Sequence, residues 1–156
     1  ERVGVRQWLA TFKGGEYSKE VLEHWEQRGK EAEVVKLILE HRKKIQNAYQ
    51  AIPATDTKAL AAAKKAGFDA LRADHLELKK KGGGTTGYDR WFKKPMNNAS
   101  LVLFGAYHGF VNAFEQLLEE SNGDWTVFYA KVKALKELDI KERRNRLKAL
   151  NEDSKL

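Results

Sequence analysis

The sequence predicts an all-α protein, a helical bundle with a long antiparallel helix hairpin and an apolar central helix. Three observations carry this. Apolar residues recur every three to four positions from end to end. No stretch of five or more residues alternates apolar and polar side chains with the β-branched enrichment of a half-buried strand. Pro53, Pro95 and the glycine clusters at 14–15 and 82–87 fall where helices should stop.

Taking the elements in order, a short helix from Gly4 to Phe12 should end at Gly14-Gly15, where a left-handed cap costs little. Ser18 can cap the next helix, with Glu20 and Glu23 near its positive end. Val34, Ile38, Ile45, Tyr49 and Ile52, widened by Val35, Leu37 and Leu39, carry that helix to Pro53, with Gly29 a weak point inside it. Thr55 or Asp56 can cap a second long helix whose apolar positions are Leu60, Gly67, Leu71 and Leu78, with Phe68 alongside. A connection this short makes the pair an antiparallel hairpin spanning 16–82, which ends in Lys79-Lys80-Lys81. Four glycines among residues 82–87 then form a loop.

Tyr88 to Lys93 resumes a helix until Pro95. Asn97 or Asn98 can cap a central helix, apolar on nearly every face from Leu101 to Leu118, which should be surrounded by the others. Asn122-Gly123 ends it. Asp124 caps Trp125 to Leu138, and Asp139 with Glu142 caps a basic helix from Ile140 to Leu150. Residues 88–150 should make a compact helical part. The 156 residues suit a single helical domain or the C-terminal fragment of a larger enzyme, and the start at Glu1, without an initiator Met or signal-like segment, favours a fragment.

Composition narrows the function classes. The absence of Cys removes thiolate zinc sites and disulfide scaffolds. The most apolar stretch, residues 99–118, holds 13 apolar residues in 20 but is broken by Ser100, Gly105, His108, Gly109, Asn112 and Glu115, so no transmembrane segment is expected. Of the net charge of +7, residues 54–95 contribute +5, from ten cations and five anions. That excess would attract an anionic partner, or simply solvate a helix end. Basic runs are matched by nearby acids and no groove-reading or base-stacking motif is present, so no nucleic acid partner is expected.

Catalytic patterns are few. His24, His41, His75 and His108 have successive spacings of 17, 34 and 33 residues, so no zinc-binding His pair one turn apart exists. The span Gly82 to Gly87 opens like a phosphate loop but continues with Tyr88-Asp89 instead of Lys and Ser or Thr. No Ser–His spacing suggests a nucleophile with its base.

More specific are Gly87-Tyr88-Asp89-Arg90-Trp91-Phe92 and Pro95-Met96-Asn97-Asn98-Ala99-Ser100-Leu101. Ala106-Tyr107-His108, Phe114-Glu115-Gln116-Leu117-Leu118, Gly123-Asp124-Trp125 and Phe128-Tyr129 follow them, and Glu1 to Leu9 precedes them. With these segments the chain resembles a bacterial family described as zinc-dependent aminopeptidases, gluzincin-like, over essentially its whole length. The resemblance implies peptide bond hydrolysis by a longer parent whose His-Glu-x-x-His and Asn-Glu-x-x-Ala-like segments lie before the residue matching Glu1. This segment would then hold no catalytic residue and no metal ligand, be inactive alone, and complete the substrate cleft beside the N-terminal catalytic region of the same chain. Zinc and peptide substrate would belong to the full-length parent. Hydrolysis needs donors near the developing oxyanion. From this segment they could be the phenols of Tyr88 and Tyr107, the imidazole of His108, and the amides of Asn97 and Asn98. Each also has a structural reading, as cap or packing residue. The family resemblance suggests the cell envelope or periplasm. The other function class is a non-catalytic interaction module that docks a protein or anionic partner through the basic tip Lys79-Lys80-Lys81.

Overall fold

The computed structural model describes residues 2–12, 18–82 and 87–153. Those residues form eight helices joined by short turns, with no strand among them: α1 (Arg2–Phe12), α2 (Lys19–Gln50), α3 (Thr57–Gly82), α4 (Asp89–Phe92), α5 (Asn98–His108), α6 (Val111–Glu119), α7 (Trp125–Glu137) and α8 (Ile140–Asp153). The expected stop at Gly14-Gly15 and the interior of the glycine loop lie outside the described residues. The chain forms two compact units, Glu1–Leu101 and Val102–Leu156.

In the first unit, α2 has 32 residues and α3 has 26, giving lengths of about 48 and 39 Å at 1.5 Å per residue. Ser18 is the N-cap of α2, its hydroxyl accepting from the Val21 amide at 3.4 Å. Asp56 rather than Thr55 caps α3, its Oδ1 accepting from the Ala59 amide at 2.9 Å. Gly29 does not interrupt α2, because the surrounding turns keep their ladder and the exposed site has nothing packed on it.

The hairpin is antiparallel because partners run in opposite order: Glu31 lies by Gly87, His41 by Asp74 and Ile45 by Gly67. Buried Val34, Ile38, His41 and Ile45 on α2 face buried Phe68, Leu71 and His75 on α3. Two histidines thus occupy core positions of the hairpin. His41 satisfies its ring by placing Nε2 2.9 Å from Asp74 Oδ2. At Gly67 a side chain is excluded, since a Cβ there would overlap Ile45 Cγ1, so the helices approach closely at that level.

The expected single central helix is two helices. α5 ends at His108, and Phe110 leaves helical geometry at φ −128°, ψ 16° before α6 begins. The reason lies at Gly109. Its N–H still donates to Gly105 O at 3.1 Å, but a Cβ on it would strike that same carbonyl, so only glycine fits the turn. Nor is this stretch surrounded on every face: Val102, Leu103 and Tyr107 are exposed, and Tyr107 is 76% accessible. Apolar composition alone overstated its burial.

The second unit has a core of Ala113, Leu117, Leu135, Leu147 and Leu150, against which Phe110, Phe128, Val132 and Leu138 pack. α6 ends in two left-handed residues, Asn122 at φ 50° and Gly123 at φ 76°, with the Gly123 amide returning to Leu118 O at 3.1 Å. That is the geometry of a Schellman cap. Asp124 accepts from the Thr126 and Val127 amides at 2.7 and 3.1 Å, and Asp139 accepts from Lys141 and Glu142 at 2.7 and 2.8 Å. Arg143 closes the other end of α7, donating to the carbonyls of Leu135, Lys136 and Leu138.

Candidate functional site

The chemistry in the first unit concentrates where the last turns of α3 meet α4. The 3.6-residue period carries the buried face of α3 from Phe68 and Leu71 to His75. Lys79 follows one turn later. α4 returns Asp89 and Phe92 to this face: the Phe92 ring stacks on the His75 imidazole with centroids 3.5 Å apart and planes 6° from parallel. Asp89 Oδ2 accepts from Lys79 Nζ at 2.5 Å, and its Oδ1 stands 3.6 Å from His75 Nε2. That last separation is too long for a hydrogen bond. His75 Nε2 is therefore buried without a hydrogen-bond partner, although the residue is only 4% exposed. Beside this cluster lies a cavity of about 190 Å³, walled by His75, Phe92, Leu76 and Asp89 and rimmed by the cations Arg72, Lys79 and Lys93.

Burial holds the His75 imidazole below its ordinary pKa; the Asp89 carboxylate works against that and the Lys79 ammonium with it. The buried ring is thus neutral at neutral pH. A folded-state pKa below the unfolded value means the unfolded chain binds more protons, so stability from this group is complete above the ordinary histidine pKa of about 6.5 and is lost as pH falls below it. His75→Gln should therefore flatten the fall in melting temperature between about pH 7.5 and 5. An unchanged pH slope in the variant would contradict this assignment.

Lys79 and Asp89 are about one-third and one-fifth exposed, which puts their bond between a surface pair and a buried one. Asp89→Asn should destabilise the first unit by about 1–2 kcal/mol in chemical denaturation. A change within about 0.3 kcal/mol would mean that the pair is as weak as an exposed one.

The sequence-derived candidates fall in both units. Tyr88 is half-buried ahead of α4; burial raises its phenol pKa, helped by the Glu31 carboxylate and opposed by Arg28. Asn97 caps α5, its Oδ1 accepting from the Ser100 amide at 3.0 Å and from the Ser100 hydroxyl at 3.2 Å. Asn98 Oδ1 accepts from the Tyr49 hydroxyl at 3.1 Å. These three belong to the first unit, while Tyr107 and His108 belong to the second, where the His108 ring stacks on Phe104 at 5.7 Å. Sequence reasoning missed His75, Asp89 and Phe92 as a group. The available signal was that His75 lies on the buried stripe four residues after Leu71. At the basic tip, Lys79 is held by Asp89 and Lys80 by Glu77 at 2.7 Å.

Among the described residues no three His, Cys, Asp or Glu are grouped to hold a metal ion. No described helix is long and apolar enough to cross a membrane.

Fold and cavity together define an all-α protein with a small, cation-rimmed apolar pocket beside a buried histidine. The family follows from comparison with known proteins: residues 1–147 match the model of the family described as "Putative aminopeptidase", and the chain belongs to that family. No curated protein and no solved structure matches it.

Proposed function

We propose that these helices are the C-terminal helical part of an aminopeptidase, completing the substrate cleft of an enzyme that hydrolyses peptide bonds. The observation that carries this reading is the family match, which runs over residues 1–147 of 156. On this reading the N-terminal catalytic region of the same chain supplies the metal ligands and general base, with zinc as the metal. Tyr88, Asn97, Asn98, Tyr107 and His108 are the donors this part offers to substrate. Asn97 has committed its side-chain oxygen to Ser100, and Asn98 Oδ1 accepts from the Tyr49 hydroxyl. On the same reading the parent works in the cell envelope or periplasm. The test compares the full-length parent with residues 1–156 on aminoacyl chromogenic substrates in the presence of zinc. The parent should turn over and the segment should not. Comparable metal-dependent turnover by the segment alone would overturn the reading.

A further inference from the structure

We propose that the cavity between α3 and α4 is a receptor for a single apolar amino-acid residue bearing a free α-carboxylate, such as the carboxyl end of a short peptide or a released amino acid.

Size comes first. A cavity of about 190 Å³ exceeds the roughly 150 Å³ that accommodates benzene and falls short of the roughly 300 Å³ at which drug-sized sites begin. One amino-acid residue is the matching scale. The walls supply an apolar surface: the Phe92 ring, the face of a histidine stacked on it, and Leu76, which is 58% exposed. An exposed leucine beside an aromatic wall would lose water contact if an aliphatic side chain covered it.

Charge selects the other end of the ligand. Three cations meet one carboxylate around the cavity. Asp89 is committed to Lys79 at 2.5 Å, whereas Arg72 reaches Asp69 only at 3.7 Å, across half-exposed side chains. Arg72 and Lys93 therefore retain the capacity to bind an anion, and a guanidinium matches the two oxygens of a carboxylate. The second, independent sign is His75. A buried imidazole nitrogen without a hydrogen-bond partner carries a desolvation cost that a ligand can relieve. Because Asp89 Oδ1 stands 3.6 Å from the same nitrogen, the group suited to it is the ligand's amide N–H, which the unprotonated Nε2 accepts while the carboxylate turns to Arg72 and Lys93.

That the carboxylate belongs to a peptide or its product rests on the aminopeptidase reading; that the cavity takes an apolar carboxylate does not. The experiment therefore reads binding and not turnover. The chain is titrated at low salt with N-acetyl-L-leucine while the imidazole nitrogens of His75 are followed by NMR and assigned with His75→Gln. The amide N-acetyl-L-leucinamide and inorganic phosphate serve as parallel probes. The expected result is a saturable shift of His75 with a dissociation constant on the order of millimolar. It should weaken about tenfold in the doubly substituted R72Q/K93Q chain, whose fold is checked by circular dichroism. The leucinamide should bind at least about tenfold more weakly, because it lacks the charge. Equal binding of acid and amide, equal binding of phosphate, or no movement of His75 up to saturating probe would each overturn the proposal. Failure of the parent to cleave peptides would sink the peptidase reading and leave this titration standing.

Discussion

Truncating Leu71 to alanine is expected to cost about 3–5 kcal/mol in chemical denaturation followed by circular dichroism. Leu71 is fully buried at the middle of α3, where it faces the stripe of Val34, Ile38 and Ile45 on α2. Removing its terminal carbons deletes the transfer free energy of the buried atoms and leaves a cavity that two closely packed helices only partly collapse to fill. Leu22 provides the control. It sits on α2 with 51% exposure, and its replacement by alanine should change stability by no more than about 0.5 kcal/mol. Similar losses at both sites would show that the hairpin core is not where burial places it.

Gly67→Val should destabilise the same unit by about 2–3 kcal/mol, and here two effects oppose each other. Exchanging glycine for a side chain inside an exposed helix normally gains up to about 1 kcal/mol, less for a β-branched residue. Against that, any Cβ at 67 overlaps Ile45 Cγ1, an atom near the root of a buried and rotamer-restricted side chain. Overpacking of this kind costs about 1–3 kcal/mol, and valine adds two further methyl groups to the overlap. Gly67→Ala should fall in between, with a net loss of about 1 kcal/mol. A rise in melting temperature for the alanine variant would show that α2 and α3 are further apart than Ile45 and Gly67 indicate.

Helix ends were legible because their physics is local. Ser18, Asp124 and Asp139 cap the helices assigned to them, and the choices between Thr55 and Asp56 and between Asn97 and Asn98 resolve to the second and the first. In each case one side-chain oxygen reaches an amide two or three residues ahead, a relation the sequence contains. The break at Gly109 was less legible. Its cause is a clash with a carbonyl four residues earlier, which a hydrophobicity pattern does not register. Polar residues on the apolar stripe were missed for a similar reason. Periodicity places His41 and His75 at core positions, but whether a buried histidine is satisfied depends on partners 33 and 14 residues away. Asp74 satisfies the first, while Asp89 stops short of the second, and that difference of 0.7 Å between 2.9 and 3.6 Å made His75 a candidate site residue.

The described walls of the cavity all come from residues 72–93, a single run of 22 positions. Its assembly therefore demands little long-range loop closure: once the end of α3 and the single turn of α4 have met, the walls are in place. Insertions into the connection at 51–56 can accumulate without disturbing the receptor.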